Sequence, residues 1–96
     1  MALPIRLSIA ARADRARLAA FLAEVSPHAA ERAIDTIETA LRRLSLYPES
    51  GRPSAGDRRD LPIRFGDSGY IVQYRVDPDA VVIARIFHMR EDRPGA

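Results

Sequence analysis

Residues 26–53 read SPHAAERAIDTIETALRRLSLYPESGRP, and this stretch decides how the chain folds. Ser26 offers a hydroxyl to the free amides of a helix start, and Pro27 fits the first turn, where a missing N–H costs nothing. Ala30, Ile34, Ile37, Leu41 and Leu44 then recur at spacings of four and three, while Glu31, Arg32, Asp35, Glu38, Arg42 and Arg43 fill the remaining arc. This pattern predicts an amphipathic helix of about twenty residues and about 30 Å, long enough to cross a small sheet. Pro48 stops the helix by disfavouring helical geometry at Tyr47, and residues 51–53 turn the chain.

Working outward towards the N-terminus, Leu3, Ile5, Leu7 and Ile9 alternate with Pro4, Arg6 and Ser8, which predicts a half-buried strand. Pro4 donates no ladder hydrogen bond and suits an edge. From Ala11 the period lengthens, and Leu18, Phe21, Leu22 and Val25 mark the apolar stripe of a first helix ending at Val25. The tight Ser26-Pro27 junction folds the two helices into an antiparallel hairpin.

Towards the C-terminus, residues 54–59 are polar and read as a loop. Leu61, Ile63 and Phe65 alternate with Pro62 and Arg64, residues 66–69 turn, and residues 70–76 alternate again. Asp77-Pro78-Asp79 suits a tight turn before the apolar run Ala80 to His88. Three strands in a meander result. The last is apolar on both faces and should be central, whereas Pro62 marks its strand as an edge. The expected class is α+β, ordered β-α-α-β-β-β, with the hairpin on one face of a mostly antiparallel four-stranded sheet. The strand order is first, fourth, third, second. Tyr70, Val72, Tyr74 and Val76 should face the helices, with Ile71, Gln73 and Arg75 opposite.

Ninety-six residues, 47% hydrophobic and 29% charged, read as a single globular domain over 1–96. Residues 89–96 lack a core-forming pattern and are expected to form a flexible tail. No apolar run approaches the roughly twenty residues of a membrane span, and the N-terminus does not read as a leader, so a cytoplasmic location is expected. There is no Cys, and His28 and His88 are far apart in sequence, so neither a disulfide, a metal site nor a cofactor is expected. All 15 basic residues are Arg, yet the net charge is only +2 and acids interleave with them, which argues against direct duplex binding.

The segments ARADRARLAAFLAEVSPHAAERAIDTIETALRRLSLYPESGRP, RRDLPI, GYIVQYRV and VVIARIFHMRED together resemble the RelE/ParE superfamily of bacterial toxins, and among its members most closely the ParE branch. The SPHAA helix start, the YPESGRP helix end, the GYIVQY strand and the final HMR carry the likeness; Arg15 departs from it, standing where an apolar residue belongs. The resemblance implies a type II toxin, associated with growth arrest and plasmid stabilisation, neutralised by a cognate ParD-like antitoxin. Contact with DNA would come only through that antitoxin. In the ParE branch the target is DNA gyrase; in the RelE branch it is messenger RNA on the ribosome.

The two targets require different residues. Cleaving RNA through its 2′-hydroxyl takes a proton acceptor, cations for the developing phosphate charge and an acid for the leaving oxygen. RelE-like nucleases resemble one another in an Arg after the Gly-Tyr of the third strand, basic residues on the second strand and a late Tyr. Here Ile71 follows Gly69-Tyr70, Pro62 occupies one of the basic positions, and no Tyr follows Tyr74, although Arg64 matches. The expected activity is therefore binding rather than catalysis, with Phe87, His88, Arg90 and Arg93 as target contacts. The alternative is a ribosome-dependent mRNA endonuclease using Arg64, Arg75, His88 and Arg90. His88 itself reads as a sheet-end residue bonded locally, and Arg52 as the anchor of a turn, reaching a helix-end carbonyl or carboxylate. The antitoxin should carry an acidic and apolar segment that pairs with the Arg residues.

Overall fold

The computed structural model describes residues 2–91. Its elements run β1 (Ile5–Leu7), α1 (Ile9–Val25), α2 (Pro27–Leu46), β2 (Arg52–Pro53), β3 (Arg58–Phe65), β4 (Ser68–Val76) and β5 (Val81–His88). The sheet order is β1-β5-β4-β3-β2, with β1 parallel to β5 and every other pair antiparallel. The class is α+β as expected, with β5 between its neighbours and the helices packed on one face.

The sheet has five strands rather than four. The added β2 pairs Arg52 with Asp60 and Pro53 with Arg59. Two residues, one a proline, carry no alternation to read; the pairing arises because the turn after α2 returns alongside β3. For the same reason β3 begins at Arg58, inside the expected loop, where ladder partners rather than apolar periodicity hold Arg58, Arg59 and Asp60 extended.

β1 is shorter than expected because Ser8 caps α1, its hydroxyl accepting from the Ala11 N–H at 3.0 Å. Ile9 therefore belongs to the helix and is fully turned to solvent. Ser26 caps α2 as expected, accepting from the Ala29 N–H at 3.2 Å. Ala33, Ile37, Leu41 and Leu44 of α2 meet Tyr70, Val72, Tyr74, Val81, Ile83 and Ile86 of the sheet in one core, so the aromatic face of β4 is the helix side.

The stripe expected on α1 is only half right. Leu18 is buried and Leu22 packs on the core, but Phe21 and Val25 are exposed; the buried line is Ala11, Asp14 and Leu18. α1 meets the sheet chiefly along β5 and β1, so only a narrow line of it is covered. Arg15, the departure from the family pattern, pairs with Glu38 across the helical hairpin.

Two of the sequence motifs turn out to be steric. The Gly51 N–H donates to the buried Tyr74 hydroxyl at 2.8 Å, which itself donates to the Pro48 carbonyl at 2.7 Å. A Cβ on Gly51 would lie 2.6 Å from that hydroxyl oxygen. Arg59, not Arg52, secures this turn, donating to the carbonyls of Gly51 at 2.8 Å and Glu49 at 3.2 Å. Arg52 is committed to the β2 ladder with its side chain exposed. At Gly69 a Cβ would come within 2.1 Å of the Ile63 carbonyl oxygen.

Candidate functional site

β5 carries a bulge: Gln73 faces Arg85 while Tyr74 faces Ile83, leaving Ala84 as the extra residue. The bulge lets Val81, Ile83 and Ile86 all face the core, and by alternation it turns Arg85 and Phe87 to the open face while His88 points towards the helices. Phe87 and His88, expected to act together, thus lie on opposite faces of the sheet.

His88 rests edge-on against Tyr70, with ring centroids 5.5 Å apart. Its Nδ1 accepts from the Arg90 N–H at 3.1 Å, and its own backbone N–H donates to Glu91 Oε1 at 2.8 Å. Glu91 Oε2 takes a hydrogen bond from Arg17 at 2.8 Å, clipping the turn of residues 88–91 to α1. The local bonding expected for His88 is present. Together these groups rim a cavity of about 700 Å³ walled by Leu18, Phe21, Leu22 and Phe65. Burial pushes the Tyr70 phenol up, and the charge of Glu91 adds to the shift.

Of the expected target contacts, Phe87 is 3% exposed, with the Arg85 guanidinium 5.1 Å from its ring centroid. His88 is half-buried, and Arg90 is exposed. Arg93 and the rest of the tail beyond Glu91 lie outside the described residues. The alternative set is spread over the sheet. Arg64 sits opposite Gly69 at the same end as His88 and Arg90 but two strands away from them. Arg75 lies six ladder positions along β4 from Gly69, about 20 Å away, where it bonds Asp77 at 3.0 Å. Arg58, on the same face as Arg75, donates to Gln73 at 2.8 Å.

The residue that sequence reasoning missed is Asp14. It is 4% exposed, yet its carboxylate is fully engaged: Oδ2 accepts from Arg85 Nε at 2.8 Å and from the Ile86 N–H at 2.9 Å. Oδ1 accepts from Arg85 Nη2 at 2.9 Å and Arg17 Nη2 at 3.4 Å. The cause is the short β1, which pairs with β5 only as far as Ile83. Beyond it the Ser8 hydroxyl covers the Ala84 carbonyl at 2.8 Å, and Asp14 covers the Ile86 amide. The start of α1 thus stands in for the missing length of strand. Burial alone would raise the Asp14 pKa, but the bonds from Arg85 and Ile86 and the positive charge of Arg85 outweigh it and hold the carboxyl below its ordinary value. The available signal was spacing: Ala11, Asp14 and Leu18 lie three and four apart, so an acid occupied the buried line.

Among the described residues no helix is long and apolar enough to cross a membrane, and no group of His, Cys, Asp or Glu could hold a metal. The family model for the ParE toxin of the type II toxin-antitoxin system parDE matches residues 5–93. Toxin RelE3 of Caulobacter vibrioides is 44% identical, over 93% of this chain and 97% of its own. Toxin RelE1 of the same organism is 36% identical, over 97% of this chain and all of its own. Among solved structures, the chromosomal ParDE system of P. aeruginosa superposes with a TM-score of 0.75 at 21% identity, covering 90% of this chain and 95% of that one. The RelBE2 toxin-antitoxin complex of Mycobacterium tuberculosis does so with a TM-score of 0.61 at 27% identity, covering 92% of this chain and 99% of that one.

Proposed function

Since this chain belongs to the ParE toxin family of type II toxin-antitoxin systems, we propose that it arrests growth by binding DNA gyrase in the cytoplasm and is held inactive by a ParD-like antitoxin. The observation that carries this reading is the residue after Gly69-Tyr70. Where RelE-like nucleases resemble one another in placing an Arg, this chain has Ile71, which is buried. An alkyl side chain neither holds a phosphate nor moves a proton. The two cations of the alternative set that come from the inner meander strands, Arg64 and Arg75, are too far apart to grip one phosphate, and Arg75 is already paired with Asp77. What remains is a surface suited to adhesion: Arg90 exposed beside the half-buried His88, next to an apolar cavity rimmed by Arg17.

The antitoxin is supported by the solved relatives, described as a ParDE system and as a RelBE2 toxin-antitoxin complex. In this reading DNA is reached only through the antitoxin, which would supply the duplex-binding surface.

A second reading, cleavage of ribosome-bound mRNA, draws support from the relatives named RelE toxins and from the Arg side chains on the open face. Tightly controlled expression of the chain, with DNA synthesis and message integrity followed together, separates the two. Early arrest of replication with intact messages is the expected result. Rapid message cleavage before replication slows would overturn it in favour of the nuclease.

A further inference from the structure

We infer that the cavity between α1 and the β3–β4 turn receives an aromatic side chain with a polar tip, a tyrosine, tryptophan or histidine of gyrase, hydrogen-bonded to the Tyr70 hydroxyl. The inference rests on the gyrase-binding reading and adds to it the place and the chemistry of contact.

Three observations meet there. First, a buried hydroxyl lacks a partner. Tyr70 and Tyr74 stand on the same face of β4, and both are buried in the core. The Tyr74 hydroxyl is bonded on both sides, accepting from the Gly51 N–H and donating to the Pro48 carbonyl. Tyr70 is only 2% exposed and lines the cavity, yet its hydroxyl makes no hydrogen bond with the described residues. Burial and the charge of Glu91 keep the phenol protonated, so it has a proton to donate. Leaving such a group unmatched is costly, and the site favours an occupant that supplies the missing bond. His88, also in the lining, adds a second donor. Because its Nδ1 accepts from the Arg90 N–H, the ring proton sits on Nε2, which has no partner among the described residues.

Second, the walls are rings and alkyl groups. Phe65, Tyr70 and His88 succeed one another with centroids 5.9 and 5.5 Å apart, the first pair tilted and the second edge-on. Leu18 and Leu22 close the side towards α1, and Phe21, 66% exposed, stands at the lip. An entering ring finds both edges and faces to pack against, while its polar tip can meet Tyr70 and His88. An aliphatic side chain would match the walls but leave the hydroxyl unbonded, and a full charge would be stranded among alkyl groups. About 700 Å³ also leaves room for the apolar neighbours of the ring on its own segment, as at the anchor of a protein interface.

Third, the mouth carries two uncommitted charges of opposite sign. Arg17 already bonds Asp14 and Glu91. The side chains of Arg90 and Asp67 are exposed and make no hydrogen bond or ion pair with the described residues. Arg90 follows β5 and Asp67 lies in the turn between β3 and β4, so together they orient an incoming chain, with an acidic residue towards Arg90 and a basic or neutral one towards Asp67. A polypeptide segment can present acid, ring and base at once, whereas a free aromatic molecule has only its ring to offer. The charges therefore favour a protein occupant.

The test measures the Kd of the full chain for purified gyrase, together with its Tm and its Kd for the antitoxin encoded beside it. Phe21→Ala is expected to weaken gyrase binding about tenfold or more, and Tyr70→Phe, which removes one oxygen, about fivefold. The control Ile9→Ala, an exposed apolar residue at the other end of α1, stays within about twofold. Tyr70→Phe should keep its Tm within about 2 °C of the wild type, because no bond within the fold is lost. Both cavity variants should bind the antitoxin within about twofold of the wild type. A photoreactive benzoylphenylalanine at position 21 should crosslink to a gyrase segment bearing Tyr, Trp or His, and alanine at that residue should abolish any further effect of Tyr70→Phe. Unchanged gyrase affinity in both cavity variants, or a crosslinked segment without such a residue, overturns the inference while leaving the gyrase reading standing. Failure of the wild-type chain to bind gyrase overturns both. An equal loss of antitoxin affinity, or a wild-type homodimer dissolved by Phe21→Ala, would assign the cavity to another occupant and overturn the inference as well. A large fall in the Tm of Tyr70→Phe would give the hydroxyl a structural role and do the same.

Discussion

Asp14→Ala lowers the stability of this chain by about 3 kcal/mol, which for a domain of this size corresponds to a Tm lower by about 12–20 °C. The substitution strips two bonds from Arg85 and leaves the buried Ile86 N–H without an acceptor at the unpaired edge of β5. Arg85 and Arg17 keep part of their surface in water, which holds the cost below that of a fully buried pair. Asp14→Asn retains an oxygen for Ile86 but not the charge, and should cost about half as much. Urea unfolding at several pH values checks both variants. A carboxyl whose pKa is lowered by folding contributes stability that is fully present above its unfolded value and lost as pH falls through its folded value. The gap between wild type and Asp14→Asn should therefore hold from neutral pH down to about 4 and close below it. A gap that stays constant from pH 7 to pH 2 would mean that the charge of Asp14 contributes nothing.

Gly69→Ala should have a larger effect still. Its Cβ would sit 2.1 Å from the Ile63 carbonyl oxygen, and both belong to the β3–β4 pairing on which the meander depends. The backbone there also has φ 155°, a conformation open mainly to glycine. Strands in the middle of a sheet cannot separate without disturbing the ladder on either side, so the loss should exceed about 4 kcal/mol. Gly66, three residues earlier, provides the contrast. It also has positive φ, 63°, in the two-residue turn between Phe65 and Ser68, but a Cβ there meets nothing within 4 Å. Gly66→Ala should cost only about 1 kcal/mol of backbone strain. Equal thermal melts for the two variants would contradict the steric account of the Gly-Tyr motif.

Much of this architecture was legible because single residues left unambiguous marks. Ser26 and Pro27 placed the start of α2 to the residue, and the prolines at 4 and 62 put their strands outside the apolar run of β5. The aromatic parity of β4 assigned the helix face correctly, as Tyr70, Val72 and Tyr74 in the core demonstrate. The features that escaped are those with no periodicity of their own. β2 is two residues long, and the bulge at Ala84 resets the face of everything after it, so Phe87 could not be placed by counting. On α1, alanines outnumber larger apolar residues, and the eye follows Phe21 and Val25 although the buried line is Ala11, Asp14 and Leu18. Arg59 and Arg52 offered the same side chain near the same turn, and only the ladder decides that Arg59 points back to Gly51.

For the chemistry, the sequence offers mainly a missing residue. Ile71 in place of an Arg argued against cleavage, and its burial next to Phe87 on the ladder is consistent with a packing role. Arg85, which sequence reasoning did not single out, is drawn to Asp14 rather than standing free for a phosphate. A guanidinium already holding a carboxylate must give up that partner before it can serve an RNA backbone.

The most direct measurement is made on purified components: the chain, DNA gyrase, relaxed plasmid and ATP, with a ribosome-bound message incubated in parallel. Loss of supercoiling that is reversed by the antitoxin, with the message left intact, is the result predicted here. Full supercoiling alongside a cleaved message would contradict it.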